Sequence, residues 1–567
     1  MNIYSEIKNL IIDIVKEKYK SLDSKALISI NCEQPKNLSF GDVSSNVLMI
    51  LSKKLGLKSE DLKKNIINEL KKNAIFNEIT FIKPGFLNFK LKKIYWCNLL
   101  SHIVKEPKYG YQNLGKGKKI NLEFVSANPT GPLHVGHLRG AVFGDVLARL
   151  LERNGYHVTR EYYVNDLGNQ INILLQTIRH HINNLLNNTS QNLTPEMYQG
   201  DYLKAIAQII IKEKIDYKNE DLLKDSVTRR VLDIIKDDLN TLGISFDLFS
   251  SEKEVHDKGL LDIVLEMLKK EEFLYNGILD KPKGKEILNW QPKEQLIFKS
   301  KDFGDTSDRP VKKNDGTWTY FASDIAYHHD KALRGYDEII NIWGADHAGY
   351  IKRVEGALKA LGHNKIKFTV KLCQIVNLLE NNKSVKMSKR TGNFILLKDI
   401  TNKVGKDVIR FFMLIRKNDA QIDFDMKKCL EETKENPVFY IQYALARINS
   451  LNNLVNEKVK SFADFDKNIF ERFGKEELVI IKNLSLWPKV IESSVIHKEP
   501  HRIVYYLIEL ASVMHNYWSM GKVNKDLKII NIYDLELTQA RLILLNSVSK
   551  VIRAGLDIIS IKPMEKM

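Results

Sequence analysis

The sequence predicts a multidomain α/β protein, in which a parallel-sheet core with helical insertions lies between a small α+β N-terminal domain and an all-α helical bundle. Three observations predict this: a strand–helix–strand succession that begins at Lys119, helices followed by strands before it, and helical periodicity in the final third. A chain of 567 residues is also too long for a single hydrophobic core. We therefore expect domains at 1–112, 113–433 and 434–567, with a helical insertion at about 172–300.

The strand–helix–strand succession is the clearest unit of the chain. A strand pattern at Lys119–Ser126 is followed by a turn at 128–132, a helix pattern from His134 to Arg153 and a second strand at Val158–Val164. Two strands joined by a crossover helix lie parallel in one sheet, with a crevice for nucleotide-type ligands at the carboxyl end of the first strand.

Other segments are assigned from periodicity alone. Strand-like runs are expected at Gly316–Ala322, Glu338–Trp343 and Lys367–Leu379, and the Lys-rich segment at about 172–300 is expected to be helical. The C-terminal third begins with an apolar stripe at helical spacing, which predicts the buried face of a bundle helix: Ile441, Leu445, Ile448 and Val455.

The charge of the chain favours a polyanionic partner. Lysine and arginine number 87 against 70 acidic residues, a net charge of +17 with a pI near 9.2. Residues 1–110 hold 19 lysines against 11 acidic residues, a net +8. Basic surfaces displace counterions from a phosphate backbone, so a nucleic-acid partner is one interpretation of this charge. The other is a composition that is generally rich in lysine.

Several classes of protein are disfavoured. No stretch approaches the ~18 apolar residues of a membrane span, and the N-terminus reads as an amphipathic helix rather than a signal peptide. The four cysteines are scattered, with no close pair to suggest zinc or a disulfide framework. We expect a cytoplasmic protein without a protein-bound metal.

Two short motifs carry the chemistry. His134-Val-Gly-His137 stands where the first strand's loop enters the helix, a setting in which backbone N–H groups and the helix dipole favour phosphate, and Gly136 lets a flat base approach the backbone. A zinc pair or two surface histidines are the alternatives. Lys386-Met387-Ser388-Lys389 places two lysines around a serine, a pattern that can bind a triphosphate or be a solvated basic loop.

Together these motifs resemble the two signatures of class I aminoacyl-tRNA synthetases, and longer segments are similar to the arginyl-tRNA synthetase family. These segments begin at Ser126, Tyr163, Trp318, Gly344 and Asn436, and Gly41-Asp42 and 84–89 resemble that family's extra N-terminal domain. The resemblance spans nearly the whole chain. It departs from the family pattern at Val135, at Leu445 and at Phe40, where Ile, His and His are common.

The resemblance implies a Rossmann-like core and ATP-dependent attachment of L-arginine to tRNA(Arg) through arginyl-adenylate, with Mg²⁺ bound through the ATP phosphates. It implies catalytic roles for His134, Gly136, His137, Lys386 and Lys389, and ATP binding by the same histidine segment with Met387, Ser388 and Lys389. It also implies an arginine pocket formed by Glu123, Asn128, Tyr320, Asp324 and Tyr350, with His347 near it.

The residues themselves agree with such a pocket. A guanidinium has five N–H donors and a permanent charge, so it requires carboxylates and other acceptors. Glu123 lies on the strand face opposite Ile120 and Leu122, and Tyr320 and Asp324 share a face if their segment enters a helix.

In the bundle, Tyr443 and Arg447 are four residues apart on the face opposite the apolar stripe, where they are suited to stack on anticodon bases. An ordinary exposed pair is the alternative. Three other functions stay open: a class I synthetase for another amino acid, a non-catalytic tRNA-binding paralogue, and a nucleotidyltransferase with a small acceptor. We expect a monomer.

Overall fold

The fold is that of a computed structural model, which describes residues 2–279, 293–313, 315–380, 383–384, 395–431, 433, 435–456 and 467–567. Within these residues, no helix combines the length and the apolar character needed to cross a membrane.

The N-terminal module packs helices on a four-stranded antiparallel sheet of order β1-β2-β4-β3. Its elements are α1 (Ile3–Lys18), α2 (Ser24–Ser29), β1 (Cys32–Glu33), β2 (Val43–Ser45), α3 (Val47–Leu55), α4 (Ser59–Leu70), β3 (Phe76–Ile82), β4 (Phe86–Leu91) and α5 (Lys93–Lys105). The expected α+β N-terminal domain is therefore present.

The central part of the chain contains the largest number of elements. These are β5 (Lys119–Glu123), α6 (Val135–Arg153), β6 (His157–Val164), α7 (Asn169–Leu186), α8 (Asp201–Lys212), α9 (Glu220–Thr241), β7 (Leu248–Ser251), α10 (Glu252–Asp257), α11 (Leu260–Lys270), β8 (Leu274–Gly277), β9 (Gln295–Phe298), β10 (Arg309–Lys312), α12 (Tyr320–Leu333), β11 (Glu338–Gly344), α13 (Ile351–Ala360), β12 (Lys367–Cys373), β13 (Val376–Glu380), β14 (Lys383–Ser384), α14 (Leu397–Val404), α15 (Lys406–Phe412), β15 (Ile422–Asp425) and α16 (Met426–Cys429).

Five of these strands form the parallel core sheet, in the order β12-β11-β5-β6-β7. The chain runs outward from β5 in one direction through β6 and β7, and in the other through β11 and β12. The crevice where the two directions part, at the carboxyl ends of β5 and β11, is the usual ligand site of such sheets. The predicted strand–helix–strand unit is confirmed as β5, α6 and β6.

Two expectations for this region are corrected. The segment at about 172–300 is not wholly helical: after Thr241, β7 joins the core sheet, α10 and α11 follow, and β8 and β9 pair with β10 in a separate antiparallel sheet. The expected strand at Gly316–Ala322 is wrong, because α12 begins at Tyr320. The Thr319 hydroxyl caps this helix by accepting the Ala322 N–H at 3.4 Å.

The C-terminal third is the expected helical bundle, with α17 (Pro437–Asn456), α18 (Lys475–Leu484), α19 (Trp487–His497), α20 (His501–Val523) and α21 (Leu535–Ile558). The predicted stripe is buried: Ile441, Leu445, Ile448 and Val455 are at most 4% exposed.

The N-terminal module lies directly against this bundle. The Tyr109 hydroxyl donates to the Leu484 carbonyl at 3.1 Å, and the Trp487 indole N–H donates to the Tyr109 carbonyl at 3.1 Å. Gly110 has φ +98°, and a Cβ there would lie 2.3 Å from the Trp487 ring. The Lys482 ammonium is 2.7 Å from the Asp42 carboxylate. The two ends of the chain are therefore packed together.

A buried arginine links the core to the bundle. Arg410 pairs with Asp145 of α6, donates to the Ile559 carbonyl at 2.7 Å and donates to the Leu242 carbonyl at 3.0 Å. One side chain thus joins α15, α6, the end of α9 and the end of α21.

Candidate active site

The N-terminus of α6 lies at the switch point of the core sheet. Phe124, directly after β5, packs against Gly144, where a Cβ would lie 2.3 Å from the Phe124 ring. This contact holds α6 against one face of the sheet. It directs the N-terminus of a 19-residue helix toward the crevice, where the positive end of the helix dipole favours an anion.

The two histidines of the first motif are fixed by backbone donors. The Gly136 N–H donates to Nδ1 of His134 at 3.1 Å, and the His134 N–H donates to Nδ1 of His137 at 3.2 Å. Since both Nδ1 atoms accept, each neutral ring carries its proton on Nε2 and can donate it to a phosphate oxygen. The ring centroids are 4.0 Å apart.

Gly136 is required by the same geometry. A Cβ at this position would lie 2.9 Å from the Cε1 atom of His134. Any larger residue would displace that ring.

A cleft of about 820 Å³ extends from the α6 N-terminus over the carboxyl ends of β5 and β11. Its lining includes Asn128, Gly136, His137, Arg139 and Tyr320. The His134 ring lies beside that of His137, tilted by 40°, and His134 is not among the described residues that line the cleft. The buried Arg139 guanidinium donates to the carbonyls of Gln374 at 3.2 Å and Lys417 at 2.7 Å, which fixes the far wall.

A second cavity of about 540 Å³ adjoins the cleft, and the two share lining residues that include Ser126, Asn128, Tyr320 and Trp343. Its walls bring together the predicted Glu123, Asn128, Tyr320, Asp324 and Tyr350, and also His347. Since α12 begins at Tyr320, the condition that Tyr320 and Asp324 share a helix face is met.

Glu123 is buried and strongly held. It pairs with the ammonium of Lys331, which is fully buried, and accepts hydrogen bonds from the hydroxyls of Tyr327 at 3.1 Å and Ser126 at 3.0 Å. Asn128 donates to the Gln170 side chain at 2.7 Å at the boundary between cavity and cleft.

The other two carboxyl groups of the cavity, those of Asp324 and Glu252, have no lysine or arginine beside them on the described lining. Burial, together with the charges of Glu252 and Glu123, raises the pKa of Asp324 to about 8, although a hydrogen bond with Tyr350 opposes the rise. Burial also raises the pKa of Glu252. None of the described residues that line this cavity is lysine or arginine. The cavity is therefore suited to a cationic ligand.

Sequence reasoning missed Glu252, together with Tyr163, Asn165, Gln170 and Tyr327, which also line the cavity. Glu252 is the first residue of α10, directly after β7, so it stands at the carboxyl end of a core strand. Recognition of β7 as a core strand would have placed it at the ligand edge of the sheet.

The second motif, Lys386 to Lys389, lies outside the described residues, so the roles expected for both lysines, Met387 and Ser388 stay predictions. The segment that follows pairs with the first motif, with the Val135 N–H donating to the Ile395 carbonyl at 3.3 Å and the Leu397 N–H to the Leu133 carbonyl at 2.9 Å.

On the bundle, Tyr443 and Arg447 lie in contact. The Arg447 guanidinium lies 4.1 Å from the Tyr443 ring centroid and 5.1 Å from that of Trp518, and it donates to the Tyr443 hydroxyl at 3.0 Å. The Tyr443 ring also stacks on His515, at 5.6 Å. Tyr443 is 37% exposed, so part of its side chain is accessible beside a fixed positive charge.

Comparison with known proteins agrees with this arrangement. The family described as "tRNA synthetases class I (R), catalytic domain" matches residues 98–450, "DALR anticodon binding domain" matches 441–567 and "Arginyl tRNA synthetase N terminal domain" matches 5–91. The fold and the His-Val-Gly-His cleft are those of a class I aminoacyl-tRNA synthetase.

Relatives define the family more closely. An arginine–tRNA ligase of Rickettsia canadensis is 42% identical over 100% of both chains, and one of Ehrlichia ruminantium is 42% identical over 95% of both. The solved arginyl-tRNA synthetase of Thermus thermophilus has the same fold, with a TM-score of 0.74, 19% identity and coverage of 100% of both chains. The chain belongs to the arginyl-tRNA synthetase family.

Proposed function

We propose that this protein attaches L-arginine to its cognate tRNA in an ATP-dependent reaction that proceeds through arginyl-adenylate. The observation that carries the proposal is the carboxylate-lined cavity, which opens beside a cleft headed by the α6 N-terminus. One compartment suits a cationic side chain and the other suits phosphates, and the reaction joins these two substrates.

Arginine binds with its guanidinium between Asp324 and Glu252 and with Tyr350 and Tyr320 beside it. A planar fork of N–H donors can satisfy two carboxylates and a hydroxyl at once, whereas the ammonium of lysine is a compact point charge that cannot. Glu123 in the cavity wall and Asn128 at the boundary with the cleft hold the amino-acid end of the substrate and direct its carboxylate toward ATP.

In the first step, the arginine carboxylate attacks the α-phosphorus of ATP in line, the P–O bond to the β-phosphate breaks, and pyrophosphate leaves. The nucleophile is already an anion, so catalysis consists of positioning and stabilisation of developing negative charge. His137 on the cleft lining and His134 beside it donate from Nε2, and the positive end of the α6 dipole stabilises negative charge. Lys386 and Lys389 supply positive charge, with Met387 and Ser388 in the same ATP-binding segment.

Mg²⁺ enters with ATP, bound through its phosphates, and adds positive charge there. In the second step, a ribose hydroxyl of the terminal tRNA adenosine attacks the adenylate carbonyl, forms the ester and releases AMP. The bundle face around Tyr443 and Arg447 contacts anticodon bases while the acceptor end occupies the cleft.

We also propose that the protein acts in the cytoplasm as a monomer. All four cysteines are free and buried, as in proteins of reducing compartments. Light scattering coupled to gel filtration tests the oligomeric state: a mass of 65.5 kDa is expected, and a dimer mass would contradict this part of the proposal.

The activity is tested by measuring charging of bulk tRNA with ATP and each of the twenty amino acids, with citrulline as an uncharged analogue of arginine. Arginine alone is expected to give acid-precipitable aminoacyl-tRNA. Charging with a different amino acid would leave the class I assignment intact and refute the arginine assignment. Binding of tRNA without charging by any amino acid would favour a non-catalytic paralogue.

A further inference from the structure

Asp238 is a buried carboxylate on α9 with a direct contact to the first motif. It is 4% exposed, and its carboxylate accepts a hydrogen bond from the Leu133 N–H at 2.7 Å. Leu133 directly precedes His134, the N-cap of α6. A helix that lies outside the core sheet thus fixes the backbone at the entry to the candidate phosphate site.

The same residue, Leu133, also bonds the segment that follows the second motif. Its carbonyl accepts the Leu397 N–H at 2.9 Å, and the next pairing, from the Val135 N–H to the Ile395 carbonyl at 3.3 Å, extends this contact. His134 and Leu396 form the bridge between the two segments. Displacement of Leu133 would therefore move the α6 N-terminus and the Ile395–Leu397 segment relative to each other.

Building on the proposed arginylation activity, we infer that Asp238 is a positioning residue for catalysis, which holds Leu133 so that the α6 N-terminus and the Ile395–Leu397 segment keep the relative position that ATP requires. It does not touch substrate. Its effect passes through the Leu133 backbone, and a displacement of about 1 Å at reacting groups costs roughly 100-fold in rate.

The strength of this contact depends on pH. Burial raises the pKa of Asp238 to about 6, with Asp237 on the same helix and Asp399 on α14 acting in the same direction, and Lys398 on α14 opposing them. Above this pKa the ionised carboxylate is a charge-assisted acceptor for the Leu133 N–H; below it the protonated form is a weaker one. Charging should therefore slow as pH falls through about 6.

The test compares Asp238→Asn with the wild type in the rate of arginyl-tRNA formation at saturating tRNA, from pH 5 to 8.5. The amide keeps the shape and an acceptor oxygen but cannot titrate. We expect the variant to be about fivefold slower at pH 8, because a neutral acceptor is roughly half as strong. We also expect it to lose the decline near pH 6. The informative quantity is the difference between the two profiles.

Asp237→Asn is the matched control, since it removes the same charge from the neighbouring, exposed position of α9. Charging by Asp237→Asn should still slow as pH falls, with the decline shifted slightly to lower pH. Asp238→Ala leaves the Leu133 N–H without its acceptor and should slow charging by about 10- to 100-fold, with the KM for arginine unchanged.

Melting temperature separates positioning from folding. Because the raised pKa means that the ionised carboxylate is disfavoured in the folded state, Asp238→Asn should melt no lower than the wild type at pH 8 while charging more slowly. An Asp238→Asn profile identical to that of the wild type would overturn the inference, as would full activity of Asp238→Ala. Absence of charging by the wild type would instead refute the proposed function.

Discussion

The raised pKa of Asp324 makes arginine binding depend on pH in a defined way. A guanidinium binds the ionised carboxylate, but at pH 7 a group with a pKa of about 8 is mostly protonated. Arginine must therefore displace a proton from the cavity as it binds. We expect the KM for arginine to fall as pH rises toward 8 and to level off above it.

The expected size of the change in the KM for arginine follows from the pKa of Asp324 alone. One unit below it, roughly a tenth of the protein has the ionised carboxylate, so the KM for arginine at pH 7 should be about 10-fold above its plateau. That ratio corresponds to about 1.4 kcal/mol of deprotonation free energy. Asp324→Asn cannot ionise, so it should lose the pH dependence and, at pH 8, bind arginine more weakly by about 3–5 kcal/mol.

The assay is steady-state charging from pH 6.5 to 8.5, with the KM for ATP as the internal control, because Asp324 lies in the second cavity and not in the cleft. Calorimetry of arginine binding in buffers of different ionisation enthalpy measures the released proton directly. A KM for arginine that does not change with pH, or Asp324→Asn with the wild-type KM, would refute the assignment of this carboxylate to the guanidinium.

Four further substitutions test other parts of the structure. Gly136→Ala should lower the rate of adenylate formation at least 10-fold by displacing the neighbouring histidine ring, which pre-steady-state kinetics would detect; an unchanged rate would contradict the close approach. Tyr443→Ala and Arg447→Ala should each weaken tRNA affinity by about 1–3 kcal/mol in filter binding, with the KM for ATP unchanged, whereas full affinity would remove them from the anticodon site. Arg410→Ala should destabilise the fold by roughly 2–3 kcal/mol in urea unfolding, because two carbonyls lose their Arg410 donor and Asp145 keeps only the donor from Arg149; Lys403→Ala is an exposed control, and equal stability of the two variants would contradict the inferred linkage.

We expect the lysines of the N-terminal module to contribute to tRNA binding. Deletion of the module would not test this expectation. Removal of residues 1–110 would uncover the buried Trp487 ring and the Leu484 carbonyl, so loss of tRNA binding would not distinguish charge from damage to the bundle. Replacement of exposed lysines, for example Lys64 on α4 and Lys71 at its C-terminal end, by glutamine preserves the packing of the module on the bundle. The slope of log affinity against log salt should become less steep, by about 0.9 for each tRNA phosphate that the protein no longer neutralises, and an unchanged slope would refute the role.

The core of the fold could be predicted because its signals are local. The strand before Asn128, the turn with two prolines and the helix that ends before Gly155 each follow from neighbouring residues, and together they define a parallel unit. The start of the helix at Tyr320 has the sequence pattern of a strand, because aromatic and β-branched residues surround it, and the capping Thr319 decides the conformation instead.

Part of the candidate site could also be predicted, because some of its residues belong to local sequence motifs. Glu123 and Asp324 belong to recognisable motifs, whereas Glu252 reaches the cavity only through the placement of β7, an arrangement of tertiary structure that periodicity does not report. The Lys331 counterion of Glu123 could not be predicted, because a lysine in a helix is ordinarily solvated and only the burial of α12 against the sheet reveals its partner.

The contact between the N-terminal module and the bundle has a consequence for synthesis in the cell. Tyr109 and its partner Leu484 are separated by 375 residues, so the module's packing surface emerges from the ribosome long before the helices that cover it. At typical elongation rates of about 5–20 residues per second, that interval is roughly 20–75 s. The nascent module must remain soluble throughout it, and its excess of lysine serves this requirement, because like charges on neighbouring nascent chains repel one another.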